Sequence, residues 1–375
     1  MSVTYDPSER LAEVWNADLP AERRAAIRDA DQRVRGGDGV RRVLLIGGSG
    51  YIGGPVTHEL LRTGYTVRNL DLNLYANGSV PLSFMARPDY EFVRGDLADP
   101  AVLDAALDGV SDVVLLGGLV GDPITKAYPD PSQAINDDGV RDALERMVGR
   151  GLNKVIFVST CSNYGLIEGD ALADEHFELN PLSLYAKAKV AAERRLLEGG
   201  ERFDYNPTVL RFATAFGLAQ RMRFDLTVNE FTRALALGED LLVYHARTWR
   251  PYCHVKDFAR LIRRVLEFPA AETAFDVFNA GGEVNNHTKQ SIVDTIVKRL
   301  PGAKVAYKEH GTDPRNYRVD FSKVRERLLF EPAYSVGDGV DEILRALGDG
   351  LLDDVDARRD FYGNYTLDYP PARSA

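Results

Sequence analysis

The stretch LLIGGSGYIGGPVTHELL, residues 44–61, decides the fold of this chain. It opens with a short apolar run typical of a buried strand and continues, after a glycine-rich turn, into a helical pattern. Glycine permits a tight turn and lets backbone N–H groups approach a pyrophosphate, whose charge the helix N-terminus stabilises. The stretch therefore predicts a dinucleotide-binding turn. Its predicted cofactor contacts are Gly47, Gly50, Tyr51, Ile52 and Gly53.

Asp71 ends the next apolar run, YTVRNLDL (65–72), and lies 18 residues after Gly53. A carboxylate at this place hydrogen-bonds the ribose hydroxyls of the adenosine half and repels a 2′-phosphate. NAD is therefore favoured over NADP as the cofactor. Arg68 lies close enough in sequence to keep NADP open as the alternative.

Asp96 and Leu97 follow the third apolar run, in RGDLADP (94–100). Their place after a predicted strand of the same sheet favours contact with the adenine of the cofactor. For Asp96, a purely structural role in the turn is the alternative.

Apolar, β-branched runs alternate with helical stretches from Val40 to about Phe216. This alternation predicts an α/β fold with a Rossmann-type doubly wound parallel sheet, covered by helices on both faces. Beyond Phe216 the pattern breaks down, which favours a smaller, interleaved C-terminal substrate-binding lobe. The predicted parts are an N-terminal helical arm (1–40), an NAD-binding domain (41–217, rejoined by 254–281), a substrate-binding lobe (218–253 and 282–350) and a C-terminal tail (351–375).

The N-terminal arm contains PAERRAAIRDADQRVR (20–35), which predicts a helix that ends at Gly36. Its polar composition favours a solvated arm, and a segment of a subunit interface is the alternative. The N-terminus shows no signal-peptide pattern, so a cytoplasmic location is expected.

Charge and composition exclude several classes of function. With 375 residues, a formal net charge of −10 and no dense run of Lys and Arg, the chain is not expected to bind nucleic acid or an anionic membrane. Its apolar runs are too short to span a bilayer. Cys161 and Cys253 lie far apart in the chain and the histidines are scattered, so neither a disulfide nor a metal site is expected.

Two motifs in the middle of the chain predict a catalytic site. Tyr185 and Lys189 in NPLSLYAKAKVAAERRLL (180–197) are four residues apart and therefore share one face of a helix. Upstream, STCSNYG (159–165) follows the apolar run KVIFV. The spacing alone is common, but its place one loop after that strand and downstream of a dinucleotide fold makes it informative.

These motifs, in this order, resemble the extended short-chain dehydrogenase/reductase family, in its branch of NAD-dependent nucleotide-sugar epimerases and dehydratases. That family combines GxxGxxG, a Ser or Thr at a strand end and YxxxK, and this chain looks most like its 4-epimerases. NDDG (136–139), WRPYCHVKD (249–257) and DPRNYRVDFSK (313–323) also look like this branch. The resemblance covers roughly residues 41–347 and implies NAD as cofactor, a nucleotide-diphosphate sugar as substrate and a homodimer.

The resemblance also implies the catalytic roles. Tyr185 would take a proton from a sugar hydroxyl while a hydride leaves the same carbon, and Thr160 would orient that oxygen. The Lys189 ammonium and the nicotinamide ring are expected to lower the pKa of Tyr185, and both side chains would contact the cofactor. The hydroxyl at the strand end therefore positions the substrate and does not attack it.

Cys161 and Ser162 stand where the resembling 4,6-dehydratases carry an acidic pair, so a dehydratase is disfavoured. Both residues are predicted to contact the substrate. A small buried residue is the favoured interpretation of Cys161, with an acid role as the alternative.

Arg250 and Tyr317 match family positions that meet the diphosphate and the nucleoside of the substrate. For Arg250, a surface salt bridge is the alternative. A second family arginine is not evident, and His310 or Arg315 is the candidate substitute. Further expected anion donors are Arg221 and Arg223.

The function favoured by these features is that of an NAD-dependent nucleotide-sugar epimerase, which acts through a transient ketosugar by hydride removal and return. An NAD(P)H-dependent nucleotide-4-ketosugar reductase is the alternative, because both activities share the motifs. A non-catalytic NAD-sensing or scaffold protein is a further hypothesis, which the retention of Thr160, Tyr185 and Lys189 disfavours.

Overall fold

The computed structural model describes residues 15–34, 40–167, 169–309 and 315–370. The strands of this part of the chain, numbered in order, are β1 Arg42–Ile46, β2 Thr66–Asp71, β3 Tyr90–Arg94, β4 Asp112–Leu115, β5 Lys154–Thr160, β6 Leu172–Ala173, β7 Asn206–Phe212, β8 Thr214–Phe216, β9 Leu241–Tyr244, β10 Trp249–His254, β11 Asp276–Ala280, β12 Asn286–Thr288, β13 Val305–Lys308 and β14 Arg318–Val319. The α-helices are α1 Ala21–Val34, α2 Gly53–Arg62, α3 Ser79–Leu82, α4 Pro100–Leu107, α5 Asp122–Ala127, α6 Pro129–Ser132, α7 Val140–Arg146, α8 Leu184–Leu197, α9 Thr227–Ala236, α10 Val255–Glu267, α11 Ala270–Thr273, α12 Lys289–Val297, α13 Ser322–Leu328 and α14 Val336–Gly348.

Seven parallel strands form the main sheet, in the order β3-β2-β1-β4-β5-β7-β11. Every residue of the central strand β5 is buried, as expected of a strand covered on both faces. The strand order reverses direction between β1 and β4, and in such sheets ligands bind at this point, beyond the carboxyl ends of the strands. The doubly wound α/β fold predicted from the sequence is confirmed.

The later part of the chain forms small sheets beside the main one, with the orders β12-β10-β8, β13-β9 and β14-β6. A separate apolar cluster joins α9, α12 and α14 and includes Phe216, Val228 and Tyr252. The predicted division into an NAD-binding domain and a substrate-binding lobe stays a prediction, as do its boundaries.

The described part of the N-terminal arm packs on helix α10. Helix α1 falls within the predicted span 20–35, and Leu19 and Ile27 are buried. The Asn16 side chain donates to the Glu267 carboxylate of α10 at 2.9 Å, so the expectation of a solvated arm is wrong here. The predicted helix stop at Gly36 lies outside the described residues.

Within the described ranges, no helix combines the length and apolar character needed to cross a membrane. In the same ranges, no group of three or more His, Cys, Asp or Glu side chains is arranged to hold a metal ion.

Candidate active site

A cavity of about 510 Å³ lies at the carboxyl ends of the main-sheet strands. The segments that follow β1, β2, β3 and β4 line one side of it, and the end of β5 and the start of α8 line another. The predicted residues that line it are Gly47, Gly50, Tyr51, Ile52, Gly53, Asp71, Asp96, Leu97, Thr160, Ser162, Tyr185, Lys189, Arg250 and Tyr317. The structure thus brings every residue of the predicted site except Cys161 to one cavity.

The glycine turn between β1 and α2 is packed so tightly that side chains are excluded at two positions. Gly47 has a φ of +84°, and a Cβ there would lie 2.6 Å from the Gly117 Cα atom. A Cβ at Gly53 would lie 2.4 Å from the Gly48 carbonyl oxygen. A Cβ at Gly50 would approach only the Gly47 carbonyl oxygen, at 3.4 Å. The turn thus presents bare backbone to the cavity at a helix N-terminus, which fits the pyrophosphate of a dinucleotide.

Asp71 is fixed at the end of β2 by the turn that it faces. Its carboxylate accepts hydrogen bonds from the Ser49 N–H at 2.9 Å and the Asn73 N–H at 2.8 Å. Burial raises the pKa of Asp71, and these hydrogen bonds oppose that shift. Arg68 does not line the cavity, because its guanidinium is bound to Glu91 at 2.7 Å. Arg68, the residue that suggested NADP as the alternative cofactor, is therefore turned away from the site.

Replacing Asp71 by Asn is expected to weaken NAD binding by about tenfold or more, because a charged hydrogen-bond acceptor is lost. NADP binding should change less, since the repulsion of its 2′-phosphate is lost as well. Binding titrations with both cofactors measure the ratio of the two dissociation constants. The matched control, Arg68→Gln, should leave that ratio unchanged, and an unchanged ratio in Asp71→Asn would show that Asp71 is not the ribose ligand.

Thr160, Tyr185 and Lys189 meet where β5 ends and α8 begins. The Ser183 hydroxyl caps α8 by accepting a hydrogen bond from the Ala186 N–H at 3.2 Å, which fixes the turn that carries Tyr185. The Lys189 ammonium donates to the Val158 carbonyl of β5 at 2.8 Å and lies 5.8 Å from the Tyr185 ring centroid. Strand and helix therefore hold the three side chains on one wall of the cavity.

The pKa values of this group differ from the sequence expectation. Burial raises the pKa of Tyr185, and the nearby Asp122 carboxylate raises it further. Burial lowers the pKa of Lys189 to about 8. The expected lowering of the Tyr185 pKa is therefore wrong for the protein alone. The physical reason is that the Lys189 ammonium is directed to the Val158 carbonyl, whereas Asp122 and a poorly hydrated wall surround the phenol.

Arg250, Tyr317 and Ser162 line a second wall of the cavity. The Arg250 guanidinium lies 5.0 Å from the centroid of the Tyr317 ring, and the Tyr317 hydroxyl lies 3.4 Å from the Ser162 hydroxyl. Arg250 is only 6% exposed, so it is not the surface residue of the alternative hypothesis. It is instead a buried cation beside an aromatic ring, a pairing suited to a nucleotide diphosphate.

Cys161 is the predicted substrate contact that the structure does not bring to the cavity. Its side chain is buried, and its thiol donates to the Arg211 carbonyl at 3.1 Å. Burial raises the pKa of the Cys161 thiol, which therefore stays neutral. The structure agrees with the interpretation of Cys161 as a small buried residue and not with an acid role.

Asp122 is a cavity residue that the sequence analysis missed. It begins α5 just beyond β4, and its Oδ2 atom lies 2.7 Å from the Arg315 guanidinium. Its Oδ1 atom is buried and makes no hydrogen bond within the described residues. A signal was present, because Asp122 follows the glycine-rich end of a buried run, where polar residues meet ligands. Arg315 lines the cavity as one of the two predicted substitutes, whereas His310 lies outside the described residues.

The two arginines expected as anion donors have different partners. Both line the cavity, and Arg223 makes a two-pronged ion pair with Asp225, at 2.9 and 2.5 Å. Arg221 instead donates to the C-terminal segment, including the Phe361 carbonyl at 3.0 Å and the Asn364 side-chain oxygen at 2.8 Å. Arg221 therefore binds the chain's own tail, a partner about 140 residues away in sequence.

The chain is similar to known proteins at the levels of family and sequence. Residues 43–281 match the NAD dependent epimerase/dehydratase family. The dTDP-glucose 4,6-dehydratase of Streptomyces niveus is 27% identical over 314 residues, 80% of this chain and 91% of that protein. The UDP-glucose 4-epimerase of Rhizobium leguminosarum bv. trifolii is 24% identical over 332 residues, 82% of this chain and 96% of that protein.

Solved structures share the fold. The UDP-glucuronic acid 4-epimerase of Bacillus cereus, solved with UDP-glucuronic acid and NAD, aligns with a TM-score of 0.74 at 22% identity, over 82% of this chain and 99% of that chain. The UDP-glucose 4-epimerase of Thermotoga maritima aligns with a TM-score of 0.73 at 24% identity, over 83% and 99%.

The matched family segment covers more than half of the chain. It contains the glycine turn, Asp71 and the Tyr185–Lys189 pair, which are the features that build the cavity. The predicted cofactor, NAD, is confirmed by the family that this segment matches. The protein therefore belongs to the NAD dependent epimerase/dehydratase family, within the extended short-chain dehydrogenases/reductases.

Proposed function

We propose that the protein is an NAD-dependent epimerase of a nucleotide-diphosphate sugar, acting through a transient ketosugar. One observation carries the proposal: Thr160, Tyr185 and Lys189 share a cavity with the glycine turn and with the Arg250–Tyr317 wall. The two residues after Thr160 are Cys161 and Ser162, and neither supplies the acidic pair that water elimination requires. The chemistry of the cavity therefore supports oxidation and reduction of one sugar carbon more than it supports dehydration.

NAD bound in this cavity would supply the hydride acceptor and donor for a sugar carbon, and its positively charged ring would favour a phenolate nearby. Tyr185 takes the proton of the hydroxyl on that carbon and later gives it back. The Thr160 hydroxyl holds the same oxygen by a hydrogen bond, which keeps the reacting group in place. The charge of Arg223 opposes the effect of Asp122 on the phenol. Return of the hydride to the opposite face of the ketosugar inverts the carbon.

Replacing Asp122 by Asn is expected to shift the acid limb of the pH profile of turnover to lower pH. The Asp122 carboxylate disfavours the phenolate, so its loss lowers the pKa of Tyr185, and the base form is then populated at a lower pH. The pH dependence of kcat/KM at saturating NAD measures this shift. Asp142→Asn is the control, because that side chain is exposed and outside the cavity. An acid limb that stays in place or moves up in Asp122→Asn would contradict the electrostatic effect of Asp122 on Tyr185.

A nucleotide-4-ketosugar reductase remains the second candidate, because the same three catalytic residues serve both reactions. A net reductase must release its oxidised cofactor after each turnover, whereas an epimerase recycles it in place. Protein purified without added cofactor and then denatured is expected to release NAD. An empty protein that consumes added NADH or NADPH with a ketosugar would support the reductase instead.

The substrate class rests on the arginine-lined wall of the cavity and on the UDP- and dTDP-sugar enzymes among the relatives. The homodimer stays a prediction, which sedimentation tests as a particle of about twice 41.5 kDa. The cytoplasmic location also stays a prediction.

A further inference from the structure

The C-terminal segment returns to the cofactor cavity after α14 and crosses its rim. Phe361 and Tyr362 are buried, at 6% exposure each, and anchor the segment in the core. The Phe224 N–H donates to the Tyr362 carbonyl at 2.8 Å, which joins the segment to the chain just before α9. Beyond this anchor, Asn364 and Tyr365 line the same cavity as the glycine turn.

The Arg221 side chain holds this segment by several hydrogen bonds, which we call the clamp. Its guanidinium donates to the carbonyls of Phe361 and Gly363, at 3.0 and 3.2 Å, and to the Asn364 side-chain oxygen at 2.8 Å. The same guanidinium lies 4.3 Å from the centroid of the Tyr75 ring, in the loop after β2. Burial, helped by the nearby Arg223, lowers the pKa of Arg221 to about 10, so the clamp keeps its charge at neutral pH. With a further bond to the Asp360 carbonyl at 3.4 Å, four donor contacts of one buried cation hold the segment in a defined position.

Asn364 joins the segment to both sides of the cavity rim. Its side-chain amide donates to the Val120 carbonyl, in the loop after β4, at 2.9 Å. Its backbone N–H donates to the Asp225 carboxylate at 3.3 Å. Farther along, the Tyr369 ring packs against the apolar cluster that includes Leu70 and Leu97, so the segment also reaches the predicted adenine contact. The segment therefore spans the cavity from the start of α9 to the end of β3.

We propose that residues 363–369 are a strap that retains NAD, with Asn364 and Tyr365 as further residues of the cofactor site and Arg221 as the positioning residue of the strap. A dinucleotide held between the glycine turn and the strap leaves only when the strap detaches, which breaks the bonds of Asn364 and of its clamp. Release is therefore slow. Slow release suits an enzyme that returns the hydride it has removed, and this last point rests on the proposed function.

The B. cereus enzyme is aligned over 99% of its length by 82% of this chain, so nearly a fifth of this chain has no counterpart there. The family match ends at residue 281, well before the strap. Retention of the cofactor by the strap is therefore inferred from this chain's own contacts and not from its relatives.

The test is the rate at which bound NAD is released, measured on full-length protein loaded with labelled NAD and chased with unlabelled NAD. Removal of residues 363–375 leaves the Phe361–Tyr362 anchor in place and should accelerate release by about tenfold or more. Asn364→Ala removes only the side-chain bonds and should accelerate it by roughly three- to tenfold. Two matched controls, removal of residues 371–375 and Asp353→Asn at an exposed position ahead of the strap, should release NAD at the wild-type rate.

Melting temperatures of the cofactor-free proteins separate retention from general stability. The proposal expects Asn364→Ala to melt with the wild type while it releases NAD faster. If the chain that lacks residues 363–375 does not fold, the rate of NAD release from Asn364→Ala alone tests the proposal. Wild-type release in Asn364→Ala, or faster release only together with a lower melting temperature, would overturn the proposal. The assay contains no sugar nucleotide, so its outcome is independent of whether the protein is an epimerase.

Discussion

Tyr185→Phe is expected to lower turnover by about 10²- to 10⁴-fold while the protein still binds NAD. The substitution removes only the hydroxyl that takes and returns the proton. The glycine turn, Asp71 and Lys189 stay in place, so the cofactor site is preserved. Turnover of the sugar nucleotide and the NAD content of the purified protein are the two measurements.

Tyr307→Phe is the matched control, because its ring is 45% exposed on β13 and outside the cavity. It should retain full activity. Full activity in Tyr185→Phe itself would remove the proton-transfer role from this tyrosine, whereas loss of both activity and NAD would make the residue part of cofactor binding only.

The second large effect is expected at Gly53, the first residue of α2. An added methyl group would lie 2.4 Å from the Gly48 carbonyl oxygen, in rigid backbone, so the turn must open. We expect Gly53→Ala to lose about 1–3 kcal/mol in its free energy of unfolding and to bind NAD weakly. Urea denaturation of the cofactor-free protein and NAD titration check the two parts.

Gly50→Ala separates backbone packing from cofactor contact. A Cβ there meets only the Gly47 carbonyl oxygen, at 3.4 Å, an ordinary contact distance. This variant should therefore unfold like the wild type and still bind NAD more weakly, because the methyl group fills space at the pyrophosphate. If Gly53→Ala matched the wild type in stability, the tight packing assigned to the turn would be wrong.

Much of the fold and part of the candidate site can be predicted from the sequence, because buried strands have a recognisable pattern. Strands β1, β4, β5 and β7 are buried almost throughout, and such strands appear in the sequence as short apolar runs, so they were predictable. Residues at the carboxyl ends of such strands converge on one edge of the sheet. The apolar runs alone therefore suffice to place Asp71, Asp96 and Thr160 together.

Other features depend on partners that are distant in sequence. Arg221 and Arg223 are two residues apart and both line the cavity, yet Arg221 binds the tail whereas Arg223 binds Asp225. Burial raises the pKa of Tyr185, and Asp122, at the start of α5, raises it further. Cys161 sits between two residues that line the cavity but is itself turned into the core. Local sequence patterns do not predict the partners or directions of these side chains, because packing between segments remote in sequence determines them.

The packing of the N-terminal arm is another feature that the local sequence does not predict. A polar, charged helix in isolation indicates a solvated segment. In the folded chain, Asp31 of α1 instead contacts the buried Arg41 at 3.3 Å, and Arg41 also binds Asp112 of β4 at 2.9 Å. A charged residue of the arm thus forms a buried ion pair with the rest of the chain, which composition alone does not predict.

The most direct test of the central claim is the mass of the sugar nucleotide recovered after incubation with the protein as purified, using UDP- and dTDP-hexoses and no added cofactor. Epimerisation leaves the mass unchanged and alters only the chromatographic position, and this is the result that we predict. Elimination lowers the mass by one water, and net oxidation lowers it by two hydrogens. Either change in mass would contradict an epimerase that removes and returns the same hydride.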